Sequence, residues 1–271
     1  TLGEEGIALR AKAAVEGGAF RVEDVETKPQ RRHPQPPFTT STLQQEAARK
    51  LGFSASHTMR VAQSLYEAGA ITYMRTDGVQ MDPSAISAAR AAITDRYSGH
   101  YLPEKPRHYE TKAKNAQEAH EAIRPTSAKL SPRQVAAFLN ADEAKLYELI
   151  WKRTVACQMI PATLNTVSVD LAAGREHSFR ASGTTVVDPG FLAVYEEGTD
   201  QKSEDADDEG RKLPAMKAGD VVPLAAIVVD QHFTEPPPRF SEASLVKALE
   251  EFGIGRPSTY ASIIQTLQSR E

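Results

Sequence analysis

The chain has 271 residues, 40% of them hydrophobic and 25% charged, the make-up of a globular protein with room for two or three domains. Fibres and wholesale disorder are excluded, and the longest apolar run, residues 224–229, is far short of the roughly 20 residues that a membrane span takes. With no signal-peptide core at the N-terminus, the sequence reads as cytosolic, and its one cysteine, Cys157, can form neither an internal disulfide nor a zinc site. The net charge of −4 hides an asymmetry: residues 31–160 carry 18 Lys+Arg against 12 Asp+Glu, +6, and the remainder carries 14 against 24, −10. The middle of the chain is therefore the candidate binder of polyanions.

Residues 19–28 alternate apolar and polar in the manner of a strand, and the proline-rich QRRHPQPP that follows predicts a domain boundary. Ser41 with Gln44 three residues on reads as a capping box for a helix reaching Leu51 and stopping at Gly52. A second helix over 56–68 has Met59, Ala62, Leu65 and Tyr66 as its buried face, and AITYM after Gly69 reads as a strand, together the outline of a winged helix. Asp82-Pro83 opens a helix with Ile86, Ala89, Ile93 and Tyr97 inward, and Ser131-Pro132 opens a stretch to about Met159, with Val135, Phe138, Leu146, Leu149, Ile150 and Val155 inward. The latter should break into two helices near residues 140–142. Beyond Pro161 the period changes to two, and TVSVDLAA, HSFRASG and VVPLAAIVVD read as antiparallel strands that can recruit the strand at 19–28. The helical part would then be an insertion in a β domain. Residues 196–212 are acidic and almost devoid of apolar side chains, so the D-x-D-x-E spacing of Asp205, Asp207 and Glu209 reads as a solvated loop without the buried strand a metal triad needs. Two capped helices close the chain, over 241–252 and from Ser258 onward.

Three segments could carry chemistry. In Ile71-Thr72-Tyr73-Met74-Arg75-Thr76-Asp77, alternation puts Tyr73, Arg75 and Asp77 on one face. A tyrosine hydroxyl has a pKa near 10, so a neighbouring guanidinium would favour the phenolate and neutralise phosphate charge as it attacks. In EAHEAIRPT, His120 and Arg124 are four apart, which on a helical turn places both toward one anion, or leaves the histidine satisfied by a nearby carboxylate. In GIGRPSTY, Ser258 would cap a helix whose free N–H groups, with Arg256 beside them, form an anion-binding corner, although every helix has such an end.

Taken together, PPFTTSTLQQEAARKLGFS, LYEAGAITYMRTD, AQEAHEAIRPT and HFTEPPPRFSEASLVKALEEFGIGRPSTYASIIQTLQ closely resemble the bacterial type IA DNA topoisomerases in order and spacing. The resemblance covers about residues 19–271 and is diffuse across 163–230. It implies that Tyr73 is the nucleophile, that Arg75 contacts the phosphate, and that His120 is the active-site histidine of the helical domain. Arg256, Ser258 and Thr259 would lie in a DNA-contacting helix start, and Arg124, Gln63, Thr39, Ser41 and Gln44 are further DNA-side candidates.

The fold class it implies is multidomain α and β: a mainly helical, winged-helix-like domain over 33–159 inserted in an antiparallel β arch of residues 1–32 and 160–234. Residues 235–271 would begin a further helical domain that binds single-stranded DNA. Family members start with a Toprim domain whose acidic triad holds Mg²⁺, and no such segment precedes Thr1, so the chain reads as a fragment that holds no metal and does not relax DNA alone. Its partners would be single-stranded and negatively supercoiled DNA and that Toprim domain, with no membrane contact, in a monomer of the cytoplasm and nucleoid. Two other classes fit part of the pattern. A tyrosine recombinase or type IB enzyme also combines Tyr, Arg and His but links to the 3′ phosphate, and a non-catalytic winged-helix module would use Tyr73 as plain core.

Overall fold

The computed structural model describes residues 2–111, 121–174, 176–199 and 213–270, and the chain divides into two compact units. The first comprises residues 1–31, 163–188 and 202–238, and the second 32–162, 189–201 and 239–271.

The first unit opens with a helix absent from the sequence expectations, α1 (Glu5–Glu16), which buries only Val15. Its strands are β1 (Phe20–Arg32), β2 (Ala162–Ala173), β3 (His177–Asp188) and β4 (Val221–Val222), in the order β3-β2-β1-β4. β2 and β3 form an antiparallel hairpin from Thr163 opposite Asp188 to Ala173 opposite His177, and β4 is antiparallel to the start of β1. Val15, Phe20 and Ala173 make a small core, with Leu171, Val222, Leu224 and Ile227 packed against it.

Two strand expectations need correction here. β1 runs on through Pro29 to Arg32, in place of the expected break. β4 accompanies it only as far as Val22, whose N–H donates to the Asp220 carbonyl. Conversely, residues 223–230 form no strand, because Pro223 lacks the donor needed to continue the ladder after Val222; Leu224 and Ile227 reach the core from irregular chain instead.

The second unit is helical: α2 (Thr40–Leu51), α3 (Ala55–Glu67), α4 (Pro83–Arg96), the short α5 (Pro132–Val135), α6 (Ala141–Ala156), α7 (Glu242–Glu251) and α8 (Tyr260–Gln268). Phe38, Leu43, Leu65, Ile71, Met74, Ile123, Leu146, Ile150 and Met159 form one core in which α2, α3 and α6 meet. The expected break before α6 is present, capped by the Asn140 side chain, which accepts from the Asp142 and Glu143 N–H groups. Phe138, expected inward, is 87% exposed, because a 3-10 turn over Ala136–Phe138 departs from the helical period. Of residues 235–271, set apart in the sequence as the start of another domain, 239–271 fall in this same unit. There α7 packs on α2 and α8 on α3, around Ala55, Val246 and Ile264.

Two helix starts also differ from expectation. α2 is capped by Thr39 with Thr42, not by Ser41 with Gln44. The frame is set two residues earlier because Thr40 is drawn into the core by its bonds to Met74 and Thr76. α8 begins at Tyr260 rather than Ser258, with the Thr259 hydroxyl accepting from the Arg256 N–H at 2.8 Å.

Candidate active site

The segment 71–77 is fastened from both sides. On one side the Thr72 N–H donates to the Arg124 carbonyl (2.9 Å), the Arg124 N–H donates to Thr72 Oγ1 (3.0 Å), and that hydroxyl donates to the Ala122 carbonyl (2.7 Å). On the other, Thr40 Oγ1 donates to the Met74 carbonyl (2.7 Å) and accepts from the Thr76 N–H (2.8 Å), while the Thr40 N–H donates to the Thr76 carbonyl (2.9 Å). Met74 and Thr76 are buried between these anchors, so the residues alternating with them, Tyr73 and Arg75, face solvent. Tyr73 is 47% exposed, and its ring meets that of Tyr66 edge-on, with centroids 5.3 Å apart and planes at 70°.

The expected strand is therefore not a strand. Only Ile71 forms a bridge, to Pro125, while the Thr72 N–H goes to the Arg124 carbonyl and the Met74 and Thr76 backbone groups go to Thr40, 34 and 36 residues earlier. Exposed and buried positions alternate from Tyr73 to Thr76 all the same, although the chain bends at Thr72, Met74 and Arg75. Replacing Thr40 with valine, nearly the same shape, leaves the buried Thr76 N–H without its acceptor and should cost about 1–3 kcal/mol, read as a lower denaturant midpoint at unchanged slope.

Arg124 is brought to this segment by its backbone, and its side chain is already engaged: Nε donates to Glu121 Oε1 at 2.7 Å and Nη1 to the Pro125 carbonyl at 2.8 Å. Residues 121–125 are not the helical turn expected for an aligned His120 and Arg124. They run as extended chain, with Glu121, Ile123 and Pro125 bridging to Gln80, Phe38 and Ile71, and Pro125 denies a helix its next donor. His120 lies outside the described residues.

The remaining candidates divide by exposure. Arg256, Ser258 and Thr259 are exposed around the start of α8, and Gln63 is half-buried on α3, donating to Glu67 at 2.6 Å. Thr39, Ser41 and Gln44 are buried, which corrects their placement as DNA-facing groups: Thr39 caps α2, and Ser41 donates to Glu250 Oε2 on α7 at 2.7 Å. The Gln44 amide is only 1% exposed and has no hydrogen-bond partner among the described residues. Burial holds the Glu250 carboxyl above the usual range, with the Glu251 and Asp77 charges adding to the rise and the Ser41 hydroxyl opposing it. Burial likewise raises the Tyr260 hydroxyl, with Glu250 and Asp77 contributing and Arg256 opposing. Asp77, α7 and the start of α8 thus share one electrostatic neighbourhood at the end of the Tyr73 segment.

Sequence reasoning missed Thr40, Thr72 and Glu250, whose partners lie tens to hundreds of residues away, and assigned Tyr66 to the core. Cys157 is buried as expected, its thiol pushed up to about 12 by desolvation. Among the described residues no three His, Cys, Asp or Glu side chains converge as a metal site, and Asp205, Asp207 and Glu209 lie outside those residues. No helix among them is long and apolar enough to cross a membrane.

The helical unit thus offers a tyrosine and an arginine to solvent from one doubly anchored segment. The DNA topoisomerase family profile matches residues 2–271, and the chain belongs to that family, in its bacterial type IA class. The DNA topoisomerase 1 of Xylella fastidiosa is 62% identical over 94% of this chain, which spans 32% of that protein. The DNA topoisomerase 1 of Streptomyces coelicolor is 53% identical over 98% of this chain, which spans 28% of it. Among solved structures, full-length topoisomerase I from Thermotoga maritima matches with a TM-score of 0.81 at 36% identity, over 97% of this chain and 42% of that one. The chain thus spans about a third or less of these curated relatives' length.

Proposed function

We propose that this chain supplies the nucleophile of a type IA topoisomerase, which cuts and rejoins one DNA strand without ATP and relaxes negative supercoils. The observation that carries it is the exposed Tyr73 beside the exposed Arg75, on a segment anchored by Thr40 and Thr72. The Tyr73 oxygen attacks a backbone phosphorus, the P–O3′ bond breaks, and the proton given up by the phenol is balanced by one taken up at the departing 3′ oxygen. Arg75 offsets the charge that grows on the non-bridging oxygens. The product is a 5′-phosphotyrosine, and the reverse attack by the 3′ hydroxyl restores the strand. His120 would assist from the helical domain, and Arg124, Arg256, Ser258, Thr259 and Gln63 would hold the strand.

In the complete enzyme, Mg²⁺ held by the acidic residues of a Toprim domain would complete the site, and no step assigned to this chain's residues runs through it. Single-stranded and negatively supercoiled nucleoid DNA in the cytoplasm is the substrate of this reading, with the enzyme a monomer. The sheet unit would serve as the arch of the gate, and this chain alone would not relax a plasmid.

The test uses a chimeric enzyme in which residues 2–271 replace the matching segment of the Xylella fastidiosa topoisomerase. Incubated with Mg²⁺ and single-stranded oligonucleotides labelled at either end, it should yield a denaturant-resistant adduct carrying only the 3′-labelled piece. Transfer of the 5′-labelled piece would instead establish a 3′-linked enzyme of the recombinase type.

A further inference from the structure

Tyr66, expected in the core, follows the fully buried Leu65 by one position. The helix geometry explains why it is not there. Thr58, Val61, Ala62 and Leu65 share the buried face of α3, and Tyr66 lies about 100° round from Leu65, on the flank. It is 40% exposed, and the only ring within stacking range of it among the described residues is Tyr73. A large aromatic side chain left half in water at the end of a helix, edge-on to another exposed aromatic, is doing little for the core.

The anchors already described fix the backbone before and after Tyr73 but leave the rotation of its side chain free. An exposed phenol would sample several rotamers, and an in-line attack needs its oxygen held in one of them. Tyr66 is the group that restricts this choice. The edge-to-face arrangement lets the positive rim of one ring meet the negative face of the other, an orientation-dependent contact that an aliphatic side chain cannot reproduce. Tyr66 sits on a rigid helix, one turn beyond Gln63, so the restraint is referred to the body of the unit rather than to a loop. We infer that Tyr66 is a positioning residue for the Tyr73 nucleophile, acting through its ring and not its hydroxyl; this rests on the assignment of Tyr73 above.

The chimeric enzyme separates these possibilities. With saturating single-stranded oligonucleotide, Tyr66→Phe should form adduct within about two-fold of the parent rate, whereas Tyr66→Leu and Tyr66→Ala should be slowed about five- to ten-fold. Oligonucleotide Kd and thermal midpoint should be unchanged in all three, because the side chain is peripheral to the core. Parent-rate cleavage by Tyr66→Ala, an equal loss in Tyr66→Phe, or a loss expressed only in Kd would each overturn the inference. Adduct formation by Tyr73→Phe in the same background would instead overturn the nucleophile assignment, whichever way the Tyr66 series fell.

Discussion

Tyr73→Phe in the chimeric enzyme is expected to abolish the covalent adduct, a fall of about a thousand-fold or more in cleavage rate, with oligonucleotide affinity retained. The substitution removes one oxygen from a half-exposed ring and leaves untouched both the edge-on contact with Tyr66 and the hydrogen bonds of Thr40 and Thr72. The phenylalanine variant should therefore match the parent in thermal midpoint, so any loss belongs to chemistry. An unchanged cleavage rate would return Tyr73 to the role of an aromatic surface residue and favour a non-catalytic winged-helix module.

The largest stability effect is expected at Arg153, on α6, which is 4% exposed. Its Nε donates to the Pro36 carbonyl at 2.6 Å, its Nη1 pairs with Glu197 and reaches the Tyr195 hydroxyl, and its guanidinium lies over the Phe38 ring at 4.7 Å. Glu46 is close by, accepting from the Tyr195 hydroxyl at 2.5 Å and the Gly198 N–H at 3.0 Å. Arg153→Ala leaves Glu197 facing Glu46 in partly buried surroundings, with Glu46 still paired to Arg49 at 3.2 Å but Glu197 stripped of its own partner, which should cost about 3–5 kcal/mol. The deficit should depend on pH in a definite direction. Burial already raises the Glu197 carboxyl above its ordinary value and Arg153 opposes that rise, so losing the arginine raises it further. A carboxyl whose folded-state pKa is raised contributes stability below the unfolded value, about 4.3, and loses it as pH climbs through the folded value. Denaturant melts should therefore show the variant closest to the parent near pH 4 and furthest from it at neutral pH. An equal deficit at both would mean that lost packing over Phe38, rather than charge, dominates.

Most of the helical unit was legible in the residues themselves. Asp82-Pro83 and the break at Asn140 are local signals with local causes, and both appear where the sequence puts them. The Tyr73 segment was legible in part. Tyr73 and Arg75 alternate with the buried Met74 and Thr76 as the sequence reads them, whereas the segment's departure from a strand depends on Thr40, 34 and 36 residues before the groups it binds. No local pattern marks a threonine for such a task. Tyr66 was misplaced for a different reason: apolar identity gave its helix but not its angular distance from the buried stripe. The β4 expectation failed because an apolar run such as LAAIVV signals burial without specifying a ladder, and Pro223 outweighs it. The polar bonds of Ser41, whose partner Glu250 lies 209 residues on, had no sequence signature at all.

The long flank of β1 beyond Val22 bears on how such a chain behaves at high concentration. An extended strand with one side unpaired by β4 is a template on which a second copy could add its own strand, the first step toward aggregation. Residues 23–32, EDVETKPQRR, oppose one way of using that template. Acidic side chains crowd its first half and basic ones its second, and Val25 is the only aliphatic side chain in the stretch. A parallel copy in register would set Glu23, Asp24 and Glu26 against their own kind and Lys28, Arg31 and Arg32 likewise. Parallel self-association through this edge is thereby discouraged by the charge order of the strand itself.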